Sequence, residues 1–179
     1  MRQRRFGAIG VVLTLVLVGG ALIWWVNSRT NEDPLWFVRA FRPKATWIAI
    51  YWEGKTHMVF PGDRGYDPIM STFADGLGHW KHYERDVELS DADLQSYRDH
   101  GCFLELHYNQ RIQVHTRFRY PEVKTFFVPL TGPHAEACHV FAGLEDRPRT
   151  GAFTMDATRF ETLCQAIESS LAVNLPSEP

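Results

Sequence analysis

The sequence predicts an α+β fold in which an N-terminal transmembrane helix precedes one small domain with an antiparallel sheet and about three helices. Three observations lead there. An uncharged apolar run opens the chain, three later segments combine helical spacing with capping residues, and strand-like segments follow one another in series rather than alternating with helices. The 179 residues leave room for one such domain. Hydrophobic residues make up 45% and charged residues 22%, within the range of globular proteins.

The apolar run, Phe6 to Val26, follows a cytoplasmic N-terminus of residues 1–5 and reads as a signal anchor. A helix of that length spans roughly 32 Å, enough for a bilayer core of about 30 Å. Arg2, Arg4 and Arg5 precede it without a compensating acid, which by the positive-inside rule puts the N-terminus in the cytoplasm and the rest of the chain outside. Phe6 opens the run, and Trp24 and Trp25 close it where indoles favour the membrane interface. A cleaved signal peptide fits less well: the run exceeds a typical h-region and no small-x-small site follows Trp25.

Residues 27–44 read as a linker and lead-in, with polar NSRTNED followed by the proline-bounded, apolar PLWFVRAFRP. The outer domain then covers 45–173. TWIAIYW, a turn at Glu53-Gly54-Lys55 and THMVF form a hairpin. Asp67 is placed to cap a helix with Pro68 in its first turn, Ile69, Met70, Phe73 and Leu77 on one face, and Gly76 and Gly78 as its stop. A second helix starts at Ser90 with Asp93 in a weak capping box, Leu89 and Leu94 as a staple, and Gly101 at its end. CFLELHY, IQVHTRF, VKTFFVP, ACHVFAG and the short GAFTM alternate or run apolar as strands, with a basic loop, EDRPRTG, before the last of these. The final helix has Asp156 as cap, Met155 and Phe160 as staple, and a buried stripe of Phe160, Leu163, Cys164, Ile167 and Leu171. A polar tail occupies 174–179.

Chemistry is sparse in this sequence. A formal net charge of −2 argues against a nucleic-acid binder, and Arg147-Pro148-Arg149 is too short a basic run to reverse that. There is no GxSxG, HExxH or Walker loop, and Gly76-Leu77-Gly78 lacks the third glycine of a dinucleotide fingerprint, so no cofactor is expected. One catalytic pair is a candidate. A three-residue loop at Asn109-Gln110-Arg111 would fold CFLELHY onto IQVHTRF with Leu106 opposite Val114, setting Glu105 opposite His115, with His107 opposite Gln113 and Arg117 nearby. A carboxylate beside an imidazole can orient and charge it for acid–base work, although such pairs also decorate solvated sheet faces. His79 and His82 could supply two ligands to a metal, but no third ligand is apparent. Asp63 and Asp67 lack the regular spacing of a calcium loop. Trp47, Trp52 and Trp80 are either core residues or a binding platform. Cys102, Cys138 and Cys164 are compatible with one bridge and a spare thiol, or with three thiols.

The layout of a signal anchor and a small α+β domain resembles extracytoplasmic accessory or sensor modules of bacterial membranes; the resemblance is architectural and carries no residues. The expected function is therefore a single-pass, membrane-anchored accessory or regulatory protein whose outer domain binds a protein partner. The alternatives are an anchored hydrolase using the Glu/His pair or a His-bound metal, and a small-ligand binding module.

Overall fold

The structure, a computed structural model, describes residues 3–38, 41–116 and 118–174. Arg2, Arg117 and the tail from 175 onward lie outside the described residues. Two units are present. One is Met1–Arg39 with His115–Tyr120, and the other is Ala40–Val114 with Pro121–Pro179.

The first unit is built on α1 (Gln3–Asn31), a single helix whose Ile9–Asn31 stretch is long and apolar enough to cross a membrane, a property that signal sequences share. The helix runs on through Asn27–Asn31, which the sequence assigns to a linker. Polar residues are tolerated there because Asn27 Nδ2 and Thr30 Oγ1 donate back to the carbonyls of Ile23 and Val26, at 2.8 and 2.9 Å. The helix ends at Glu32 (φ 53), in the left-handed region, and Asp33 N–H returns to Ser28 O at 3.2 Å. No glycine marks this stop, so it is invisible to a search for one.

The second unit carries a seven-stranded sheet, every pairing antiparallel, in the order β2-β1-β4-β5-β6-β7-β3. The strands are β1 (Trp47–Trp52), β2 (Lys55–Val59), β3 (His82–Glu84), β4 (Cys102–Ile112), β5 (Val123–Pro129), β6 (His139–Leu144) and β7 (Arg147–Thr154). The helices are α2 (Tyr66–Gly78), α3 (Asp91–His100), the short α4 (Gly132–Glu136) and α5 (Ala157–Asn174). This is the α+β architecture that the segregated pattern predicts.

The first hairpin forms with Trp52 opposite Lys55. Its loop is Glu53 (φ 51) and Gly54 (φ 74), both left-handed, as a two-residue turn matched to strand twist requires. Ser90 Oγ accepts from Asp93 N–H at 3.1 Å and so caps α3 as expected. Asp156 Oδ1 likewise accepts from Thr158 N–H at 3.1 Å at the start of α5. Helix α2 differs. It begins one residue before Asp67, with Gly65 as N-cap, and Pro68 stands at its third position.

Two strand assignments need correction. The basic EDRPRTG is not a loop: Leu144 pairs with Arg147, so the turn is Glu145-Asp146 and the rest is β7. The hairpin folding CFLELHY onto IQVHTRF does not form. A strand has two edges, and both edges of β4 are taken, by β1 and β5. Asn109, Gln110 and Arg111 remain extended within β4, and Val114 and Thr116 are buried outside any strand.

The core occupies both faces of the sheet. Ile48, Ile50, Leu104, Leu106, Phe126 and Val128 share one face, where the rings of Phe41 and Phe73 meet Phe126 edge-on. On the other face Phe103, Phe127, Phe141 and Ala152 pack with Leu89 and Leu94 at α3. A strand covered on both faces buries its alternate residues too, which is how a carboxylate on β4 comes to be inside.

Candidate functional site

Along β4 the pleat sends Phe103, Glu105 and His107 to the α3 face. Glu105 lies between Ala49 of β1 and Phe127 of β5, and its side chain is 2% exposed. A buried carboxylate needs partners. Arg98 of α3 supplies one, with Nε and a terminal guanidinium nitrogen 2.8 and 2.6 Å from Oε1. His107 Nε2 lies 2.9 Å from Oε2. The Arg98 guanidinium also stands 5.8 Å from the Tyr51 ring centre, and burial together with the Glu105 charge pushes the Tyr51 phenol up.

His107 is held on every side. The Trp47 indole stacks on it with ring centres 3.5 Å apart and planes 15° from parallel. Its Nδ1 is 3.3 Å from Thr125 Oγ1, and that hydroxyl donates its only hydrogen to Glu145 O at 2.5 Å. Nδ1 thus faces Thr125, while Nε2 faces Glu105. The arrangement is an imidazole and a guanidinium gripping one carboxylate. An open groove of about 340 Å³ runs past it, lined by Trp47, His107, Asn109, Lys124 and Asp146 among others. With both Glu105 oxygens engaged, this cluster is suited to hold strands and helix in register rather than to pass protons.

The expected partner of Glu105, His115, belongs to the first unit. There its Nδ1 meets both Asp33 oxygens, at 3.1 and 2.9 Å, while Asp33 also accepts from Leu35 N–H at 2.8 Å. Arg119 pairs with Glu32 at 2.8 Å, so this ion pair and the His115–Asp33 contact tie the 115–120 segment to the end of α1. In the same unit Trp24 donates to Pro34 O at 3.1 Å, and Trp24 and Trp25 are 46% and 54% exposed. Phe6 lies in α1.

His79 and His82 do not converge. His79 caps the C-terminal end of α2 and bonds to Asp75, whereas His82 opens β3. His82 instead belongs to a cluster that no local pattern announces. Thr154 of β7 has His82 on one side of the ladder and His139 on the other. Glu84 Oε1 gathers His82 Nε2 at 3.0 Å, Thr154 Oγ1 at 3.0 Å and His139 Nε2 at 3.3 Å. His139 Nδ1 then meets His134 Nδ1 at 3.1 Å. The Thr154 hydroxyl and His139 hold the Glu84 carboxyl below its ordinary range. Burial, and then His139, push His134 down. Among the described residues no group of three or more His, Cys, Asp or Glu is disposed to hold a metal ion.

Asp63 Oδ2 accepts from Phe60 N–H at 2.8 Å, and Asp67 is exposed, 3.9 Å from Lys44. Trp80 meets Phe153 edge-on, and Trp52 lines a shallow groove with Lys55 and Leu171. Cys102, Cys138 and Cys164 are free thiols, each pushed up by burial, Cys164 to about 11. Comparison of the chain with models of protein families, with curated proteins and with solved structures finds no match.

Proposed function

We propose that this chain is a single-pass, membrane-anchored accessory or regulatory protein, with its first residues in the cytoplasm and its α+β unit outside, where it binds a protein partner. The observation that carries the reading is the apolar surface of α1. Leu15, Val16 and Leu17 are successive residues on different sides of the helix, and they are 66%, 64% and 65% exposed. A helix apolar on all sides is at home in lipid, where its backbone bonds are satisfied internally. The arginines before it favour the cytoplasmic side for that end.

Binding is favoured over hydrolysis by how the titratable groups are used. Glu105, His107, His115, His82 and Glu84 each have a protein partner. A general base needs a free lone pair facing its substrate. A reporter active only outside the cytoplasm, fused after Pro179, is expected to be active. Crosslinking in native membranes and purification in mild detergent are expected to recover a stoichiometric protein partner. A cytoplasmic C-terminus overturns the topology, and a chain that runs alone under every gentle condition overturns the accessory role. Hydrolysis of model esters or amides that disappears in Glu105→Gln would favour the hydrolase instead.

A further inference from the structure

The chain doubles back where α1 ends. From Trp24 to Asn31 the helix climbs roughly 10 Å. Even so, the Trp24 indole N–H reaches Pro34 O at 3.1 Å. Side chains of a helix lean toward its N-terminus, so the Pro34 carbonyl has come back to the level of Trp24. The turn that follows, residues 34–37, inverts the usual pattern of a loop. Leu35 N–H donates to Asp33 Oδ1 at 2.8 Å, Trp36 N–H to Asp33 O at 3.4 Å and Val38 N–H to Leu35 O at 2.8 Å. Pro34 has no N–H to satisfy. Over this internally bonded backbone Leu35 and Phe37 are 47% and 56% exposed, and the Trp36 ring braces Phe37 edge-on, 5.7 Å between centres.

A loop in water offers free backbone groups and polar side chains. A turn whose backbone bonds are made internally, and whose exposed side chains are apolar, suits the boundary of a bilayer instead. The neighbouring groups agree with that surrounding. Trp24 and Trp25 are the indoles at this height of α1, and the Arg29 guanidinium stands 5.8 Å from the Trp25 ring centre, about one turn further out, as a cation at headgroup level would. The acids Glu32 and Asp33 lie at the helix end, bonded to Arg119 and His115.

We infer that residues 34–37 are a lipid wedge: Leu35 and Phe37 enter the headgroup layer beside Trp24 and Trp25, so that the chain meets phospholipid both through α1 and through the turn folded back along it. The inference rests on the reading of α1 as a membrane span. The test places the photocrosslinking residue p-benzoylphenylalanine in turn at Leu15, Thr30 and Phe37 of the full chain in phosphatidylcholine vesicles, and reads lipid adducts by mass. A chain that simply leaves the membrane after α1 gives yields falling from 15 to 30 to 37. The wedge reverses the last two, with several-fold more lipid adduct at 37 than at 30. A yield at 37 equal to or below that at 30, with adduct at 15, overturns the wedge and leaves the span standing. Crosslinks from 37 to protein in place of lipid also overturn it, and identify a partner or a second copy as the cover. Absence of lipid adduct at 15 overturns the span itself, and the wedge with it.

Discussion

Ser170 Oγ lies 1.7 Å from the point a Cβ on Gly65 would occupy, and Ser170 Cβ lies 2.5 Å from it. Gly65 has φ −83° and ψ −17°, a conformation any residue adopts, so space and not backbone freedom calls for glycine. Gly65→Ala is expected to cost roughly 1–3 kcal/mol by overpacking. In a Ser170→Gly background the same substitution should cost well under half as much, which a double-mutant cycle of denaturant melts reads directly. Equal costs in the two backgrounds would show that the helices relax apart instead.

Ser170→Ala moves stability the other way. It removes a buried hydroxyl without a partner, and leaving such a group unpaired costs about 1–3 kcal/mol. The variant should therefore melt above the native chain. A lower melting temperature would mean that the hydroxyl is satisfied in solution.

Arg98 is expected to matter for folding more than its position near the surface implies. Arg98→Ala leaves the Glu105 carboxylate, 2% exposed, with His107 as its remaining partner. Breaking a buried pair from one side costs about 3 kcal/mol or more. Replacing both, as Arg98→Met with Glu105→Leu, should recover most of that loss. If the double variant is as unstable as Arg98→Ala, packing of the arginine stem and not its charge is the cause.

Acidification should destabilise the fold in two stages. His134 is held below its ordinary 6.5, so between that value and its lower folded value the unfolded chain takes up a proton that the folded one refuses. Stability is intact above this window and falls through it as the pH drops. Glu84 is held below its ordinary 4.5, so its contribution is present above 4.5 and lost as the pH falls through the folded value. Urea midpoints from pH 7.5 to pH 3.5 should record both steps, and His134→Gln should abolish the first alone. A midpoint in the native chain that does not move between pH 7.5 and pH 5 would contradict the His134 step.

The thiols should be sluggish. With Cys164 pushed up to about 11 by burial, its thiolate at pH 8 is roughly two-hundredfold scarcer than that of an unperturbed thiol near pKa 8.5. In a Cys102→Ser, Cys138→Ser chain, iodoacetamide should label Cys164 about a hundredfold or more slowly than free cysteine. Labelling at the rate of a small thiol would show that the helix opens readily there.

What could be read from the sequence was local. Ser90 and Asp156 announce their helices because a capping side chain bonds within three residues of itself. The β1–β2 hairpin is equally local, since its turn and its ladder are neighbours. Glu105 invites a histidine partner, but alternation alone cannot say whether that partner sits across a turn, as His115 would, or two residues along the same strand, as His107 does. The Glu84–His139–His134 cluster had no signal. It depends on β3 and β6 flanking β7, and β3 is three residues long, too short to show a period. Asp67 is the better cap by residue type, and the reason position 65 holds glycine lies in Ser170, more than a hundred residues away.

The pairing of α2 with α5 also dictates the order in which this unit can mature as it leaves the ribosome. Ile69, Met70 and Phe73 are made early, whereas the buried residues Leu163, Ile167 and Ser170 are added about a hundred residues later. Strand β3 likewise waits for β7. A nascent chain that has reached Thr154 but not α5 lacks the helix that packs beside α2, and domains fold as units once their sequence is complete. Any quality-control factor that meets this protein during synthesis meets α2 without its α5 neighbour, and a stop codon before residue 157 would leave it so permanently.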